Sequence, residues 1–211
     1  LAMANYPSFD PSLRGKIQPA LTRNRAVMDM YEPGSSMKPI TVSLALSEGR
    51  VTPNTVFATD PGYINVTGSI SRDAHPAGAL TVSQIIQLSS NVGTVKSSQL
   101  LDSKDMWDML TRVGFGQKPA LKFPSTTAGR LRNYKNWRPV EKATISYGYG
   151  IATSLLQMAQ AYTIFTSDGY FFFFFLEQQS TVVQGVCVVC RKDAEALRQM
   201  MYLVTQAGGT A

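Results

Sequence analysis

Ser35 and Lys38 stand three residues apart in Glu32-Pro-Gly-Ser-Ser-Met-Lys-Pro39, just ahead of an apolar run. A serine hydroxyl is a weak nucleophile at neutral pH and needs a base within hydrogen-bond reach. Lysine serves as that base once burial, or the positive end of a helix, lowers its pKa. Residues three apart on a helix share one face, so this spacing sets hydroxyl and amine side by side. A serine at a helix N-terminus also offers its backbone N–H to an oxyanion. The pattern is short enough to recur by chance, and a first-turn lysine can equally snorkel to solvent.

Further along, Ser89 and Asn91 lie in Ser89-Ser-Asn-Val-Gly93, where the helical pattern breaks. A loop there can present a hydroxyl and an amide to the same cleft, although Ser and Asn also favour helix ends as plain caps. Ser-x-x-Lys followed in order by Ser-x-Asn is the signature of serine acyl-transferases of the penicillin-recognising type, and the pair outweighs capping alone.

The elements that must position these groups follow from periodicity. Pro33 and Gly34 set a turn, and a helix runs over 35–47, apolar nearly all round, with Pro39 tolerable only because it falls early. Gly49 ends it. Short β-like pieces lie within 50–80. Helices are expected over 80–88, 94–101, 104–113, 141–146, 154–166 and 193–206, with strands over 170–190. No regular βαβ alternation appears, so the fold class is α+β rather than a doubly wound sheet.

Composition bounds the rest. With 211 residues, 44% hydrophobic and 16% charged, the chain can bury a sizeable core and is expected to form one domain. It contains no uncharged apolar stretch of membrane-spanning length. Leu1 opens as if inside a fold, so no leader peptide is expected within these residues. One histidine, His75, and two cysteines, Cys187 and Cys190, make a zinc site improbable. A net charge of +6 favours anionic partners. The densest basic run, over 130–138, interleaves aromatics as a single-strand nucleic-acid groove would, but without a nucleic-acid motif it reads as a solvated basic surface.

Taken with Arg23-Asn-Arg-Ala-Val-Met-Asp29 and Tyr147-Gly-Tyr-Gly150, the Ser35 and Ser89 segments resemble those of class B penicillin-binding proteins, nearest to the division-specific peptidoglycan D,D-transpeptidases. Lesser echoes, from Met3-Ala-Asn5 to Val204-Thr-Gln-Ala-Gly-Gly209, keep the family order through nearly the whole chain. The resemblance implies the penicillin-binding-protein transpeptidase, or serine β-lactamase-like, fold: an antiparallel sheet flanked by helices. It also implies a cofactor-free D,D-transpeptidase in which Ser35 attacks the penultimate D-Ala carbonyl of a peptidoglycan stem peptide, with β-lactams acylating the same serine. Lys38 would be the base, Ser89 a proton relay toward the leaving nitrogen, and Asn91 a holder of Lys38 and the substrate amide. Arg72 and Asp73 would line one rim of the cleft and Tyr149 another. Division-machinery partners, including a lipid-linked glycan polymerase, and a place at the periplasmic face of the inner membrane are implied by the family alone.

Three departures stand out. The family's third motif, Lys-Thr-Gly or Lys-Ser-Gly on an edge strand, is not found, and neither are the opening strand, the amino-terminal pedestal and the anchor. Residues 1–211 are therefore expected to be a partial transpeptidase domain, incomplete at both ends, with slowed turnover, since a lost oxyanion donor alone costs about 10²–10³ in rate. The run Phe171–Phe175 is unusual for the family; it reads as a strand buried on both faces, a partner-binding patch or an unreliable stretch of sequence. Cys187-Val-Val-Cys190 has redox or metal spacing, but positions three apart on a strand face opposite sides, which disfavours a disulfide. A serine β-lactamase would need a deacylating base that no residue here supplies, and a non-catalytic module of the same fold is the remaining alternative.

Overall fold

The computed structural model describes residues 2–13, 15, 17–121, 123–175 and 183–211. In chain order the helices are α1 (Arg25–Met28), α2 (Lys38–Ser47), α3 (Val82–Gln87), α4 (Asn91–Gln99), α5 (Ser103–Arg112), α6 (Pro139–Ser146), α7 (Leu155–Ala161), α8 (Thr163–Thr166) and α9 (Arg191–Val204). The strands are β1 (Val56–Ala58), β2 (Tyr63–Val66), β3 (Ser69–Arg72), β4 (Ala79–Thr81), β5 (Tyr170–Phe171) and β6 (Val186–Cys187).

Helix α2 is the centre of the packing. Eight of its ten residues are buried, as its all-round apolar pattern requires. It packs against α3, α4, α5 and α9. The main core joins Ile40, Val42 and Leu46 of α2 to Val82 and Ile86 of α3, Leu110 of α5, Phe165 of α8 and Leu197 of α9. Helices α3 and α4 meet at Gly93, where a β-carbon would stand 2.4 Å from Cγ1 of Ile85. Only glycine allows that approach.

The strands form three two-stranded antiparallel ribbons: β1 with β4, β2 with β3 and β5 with β6. The α+β mixture is as expected, but among the described residues the strands make small ribbons rather than one sheet flanked by helices. Among the described residues between 170 and 190, Tyr170–Phe171 and Val186–Cys187 are strand; part of that expected span, residues 176–182, lies outside the described residues. Phe171 is buried, whereas Phe173 and Phe175 are exposed, so the phenylalanine run is buried at one end only.

Two helices differ from the periodicity in instructive ways. The single helix expected over 154–166 is two. α7 starts at a capping box between Ser154 and Gln157 and closes at Tyr162, and α8 follows directly. α4 begins at Asn91 rather than Thr94, because Ser90 caps it by accepting the Gly93 N–H.

Gln157, 1% exposed, ties the loops after α5 to α7. Its amide nitrogen donates to the carbonyls of Gly114, Gln117 and Ala128, and its Oε1 accepts the Ser154 N–H. Gln157→Leu keeps the volume but strands these partners, and is expected to cost about 2–4 kcal/mol, measured by urea unfolding.

Candidate active site

Ser35 sits in a 3-10 turn, Gly34–Met37, that runs directly into α2. Ser35 is exposed, Ser36 half-buried, and Met37 and Lys38 buried, so the chain passes from solvent to core within four residues. In a 3-10 turn residues three apart eclipse one another, which places Lys38 over Ser35. The turn is fixed from outside. Gly34 donates its N–H to the Gly148 carbonyl at 3.1 Å. Both glycines have positive φ, +57° and +90°, and a β-carbon on Gly148 would lie 2.1 Å from the Gly34 carbonyl oxygen. Tyr162 donates its hydroxyl to the Ser36 carbonyl at 2.7 Å, and the Glu32 carboxylate accepts the Gly150 N–H at 2.9 Å. Tyr31 and Thr153 exchange backbone hydrogen bonds beside them.

Lys38 is 2% exposed. Its Nζ donates to the Ser89 carbonyl at 2.5 Å and to Ser89 Oγ at 2.9 Å. Burial lowers its pKa from 10.5 to about 8, against an opposing pull from the nearby Asp73 carboxylate. Among the described residues no hydrogen bond joins Ser35 Oγ to Lys38 Nζ.

The geometry of Ser89 explains how one residue meets Lys38 with two oxygens. α3 ends in a Schellman motif: Ser89 N–H donates to the Ile86 carbonyl and Ser90 N–H to the Ile85 carbonyl. The left-handed position of that motif, ordinarily glycine, is Ser89 with φ +54°. A non-glycine residue there costs on the order of 1–3 kcal/mol. That strain sets the carbonyl and the hydroxyl on the same amine.

Among the described residues no hydrogen bond joins Asn91 to Lys38. Its Nδ2 donates to the Arg72 carbonyl at 2.7 Å, pinning the start of α4 to the end of β3. Asp73 has both carboxylate oxygens engaged, Oδ2 by the Ser90 hydroxyl at 2.8 Å and Oδ1 by the Val92 N–H at 2.9 Å, so it caps α4. Arg72 is exposed, with its guanidinium 5.2 Å from the centre of the Tyr63 ring. Tyr149 is 50% exposed, packs edge-on against Tyr147, and its hydroxyl lies 4.0 Å from where a Gly34 β-carbon would sit. Ser35, Lys38, Ser89 and Tyr149 therefore gather around the start of α2, while Asn91, Arg72 and Asp73 form the adjoining junction of β3 and α4.

Sequence reasoning missed Ser90 and Tyr162. Ser90 carried a signal, because it precedes an Asn-Val-Gly helix start as a cap should. Tyr162 carried none, since it reads as an ordinary apolar-face residue of α7. Among the described residues no group of three or more His, Cys, Asp or Glu side chains is placed to hold a metal ion. Nor is any described helix long and apolar enough to cross a membrane.

Comparison with known proteins places this arrangement. Residues 1–211 match the family described as penicillin binding protein transpeptidase domain. A probable peptidoglycan D,D-transpeptidase PenA of Neisseria flavescens is 42% identical over 210 residues, which is 100% of this chain and 52% of that protein. The peptidoglycan D,D-transpeptidase FtsI of Escherichia coli K12 is 34% identical over 99% of this chain and 35% of its own length. Among solved structures, the transpeptidase domain of Burkholderia pseudomallei penicillin-binding protein 3 superposes with a TM-score of 0.87 at 43% identity, covering 90% of this chain and 58% of that one. The chain thus spans between about a third and about half of the length of these curated relatives. On the match across its whole length and on the fold it shares, the chain belongs to the penicillin-binding protein transpeptidase domain family.

Proposed function

We propose that this chain is a partial transpeptidase domain, residues 1–211, of a septal peptidoglycan D,D-transpeptidase, and that Ser35 is its nucleophile. The observation that carries the reading is the buried Lys38 amine, held by Ser89 one turn from an exposed serine at the head of α2. A neutral amine has two N–H donors and one lone pair. The two donors are spent on the Ser89 carbonyl and hydroxyl, which leaves the lone pair for the Ser35 proton.

Ser35 Oγ attacks the carbonyl of the penultimate D-Ala as its proton passes to Lys38 Nζ. Ser89 then carries a proton to the nitrogen of the departing D-Ala. The acyl-enzyme is resolved by an amine from a neighbouring stem peptide, which forms a crosslink. A β-lactam enters the same path through its strained amide and stays as an adduct. Asn91, anchored through Nδ2 to Arg72, offers its amide oxygen to the substrate N–H. Arg72 and Tyr149 form the rims of the cleft. Asp73 is a positioning residue: it fixes the start of α4, and with it Ser89 and Asn91. Partners of the whole protein are stem peptides, β-lactams and division proteins, including a glycan polymerase, at the periplasmic face of the inner membrane. These rest on kinship with proteins named D,D-transpeptidases.

Acylation by a penicillin is expected to quicken as pH rises through about 8, where Lys38 loses its proton. Asp73 raises the Lys38 pKa, so Asp73→Asn is expected to move that midpoint lower while costing about 1–2 kcal/mol at the α4 cap. Stopped-flow acylation across pH 6–10 checks both. A flat profile in the parent would remove Lys38 as the base. Rapid, continuing hydrolysis of a chromogenic β-lactam would indicate a β-lactamase instead.

A further inference from the structure

We propose that Cys187 and Cys190 are a modification site, two thiols poised to close into a reversible intramolecular disulfide where β6 meets α9. Strand alternation would set them on opposite faces, but the strand ends at Cys187. The N–H groups of Val188 and Val189 both point to the Gly169 carbonyl, at 2.9 and 3.3 Å. Successive N–H groups of a strand point opposite ways, so the chain has already turned at this point. Val188 and Val189 go into the core, 8% and 3% exposed, and the cysteines on either side of them are both exposed and free.

The turn also shortens the distance between the two cysteines. Cys187 Sγ lies 3.7 Å from the Val189 carbonyl oxygen. Peptide geometry puts that oxygen about 2.8 Å from Cα of Cys190, so the sulfur is no more than about 6.5 Å from that atom. Closure then asks both side chains to rotate toward each other until the sulfurs are about 2.05 Å apart. Both ends are anchored. Arg112 of α5 donates to the Cys187 carbonyl at 2.6 Å, and Cys190 is the residue on which the fourteen-residue α9 starts.

Closure needs a disulfide donor, either a small disulfide or an oxidised dithiol protein of an oxidising compartment. One cysteine, as thiolate, attacks a donor sulfur. The donor S–S bond breaks, one donor thiolate leaves, and a mixed disulfide remains. The second cysteine gives its proton to solvent, attacks the protein-side sulfur of that bond and expels the other donor thiolate. The protein loses two hydrogens and the donor gains them. The bond would tie the β5–β6 ribbon to α9, which packs on α2, and thereby brace the helix that carries Lys38.

The test reads thiols only, so it stands or falls separately from acylation at Ser35. The folded chain is incubated in a glutathione buffer of oxidising poise, quenched with acid, and analysed by intact mass and peptide mapping. The expected product is a monomer lighter by two hydrogens, with the Cys187–Cys190 crosslink and a melting midpoint raised by roughly 2–6 °C. Cys187→Ser and Cys190→Ser should each carry one glutathione instead. Thiols that stay reduced, a parent carrying two glutathiones, a covalent dimer, or a crosslink formed only in denaturant would each overturn the proposal.

Discussion

Lys38→Met is expected to slow penicillin acylation by about 10²–10⁴, the range that a positioned general base contributes. The protein should fold as well as the parent, and its stability should respond differently to pH. In the folded chain Lys38 titrates near 8, whereas unfolded it titrates near 10.5. Between those values the unfolded chain binds more protons, so parent stability rises as pH rises from about 8 to 10.5. Below that window the buried ammonium carries its full penalty, on the order of 3 kcal/mol. Met removes the penalty and gives up the hydrogen bonds to Ser89, worth about 1–3 kcal/mol in return. Urea unfolding at pH 7 and pH 10 should therefore show a rise for the parent and little rise for Lys38→Met. Equal slopes in both proteins would mean that Lys38 is not the depressed group, and would take the general-base reading with it.

The second large effect is at Gly148. An alanine there would have to adopt φ near +90° and seat its β-carbon 2.1 Å from the Gly34 carbonyl oxygen and 2.5 Å from the Gly34 nitrogen. Neither atom is the end of a flexible side chain. Relief requires moving the turn that carries Ser35, so the change should act on stability and on acylation together. Gly148→Ala is expected to cost more than about 3 kcal/mol, a fall in melting midpoint of roughly 6–12 °C. At temperatures where the variant is still folded, it should also acylate at least about tenfold more slowly, because nucleophile and base are set apart. Gly49→Ala is the control: it has φ +66° but open space around it, so only the backbone cost of about 1 kcal/mol applies. Similar losses at the two positions would show that the turn around Ser35 is not held by the Gly34–Gly148 approach.

These two sites also show how much a sequence can tell. The Ser35–Lys38 pair was legible because its spacing implies one helical face, and the all-apolar run after it implies burial. The burial held, since α2 is the core helix and Lys38 is buried in it, while Ser35 itself stands in the 3-10 turn ahead of α2. That Ser89 would face the lysine with two oxygens was not legible. It depends on a left-handed serine at a helix end where glycine is the rule, and nothing in Ser89-Ser-Asn announces φ +54°. Asp73 was marked as a rim residue, with Arg72, by the family resemblance. Its capping role depends on β3 lying across the start of α4, a long-range contact that local periodicity does not contain. One helix boundary slipped for the same reason. α7 closes at Tyr162 and α8 follows to pack on α9, whereas the start of α4 slipped on a local cap, Ser90.

The most direct single measurement is the intact mass of the folded chain after incubation with a penicillin, run beside Ser35→Ala. The expected result is one added penicillin on the parent, mapped to the peptide holding Ser35, and none on the variant. Absence of the adduct on a parent that still unfolds cooperatively, or an equal adduct on Ser35→Ala, would contradict Ser35 as the nucleophile of a working acylation site.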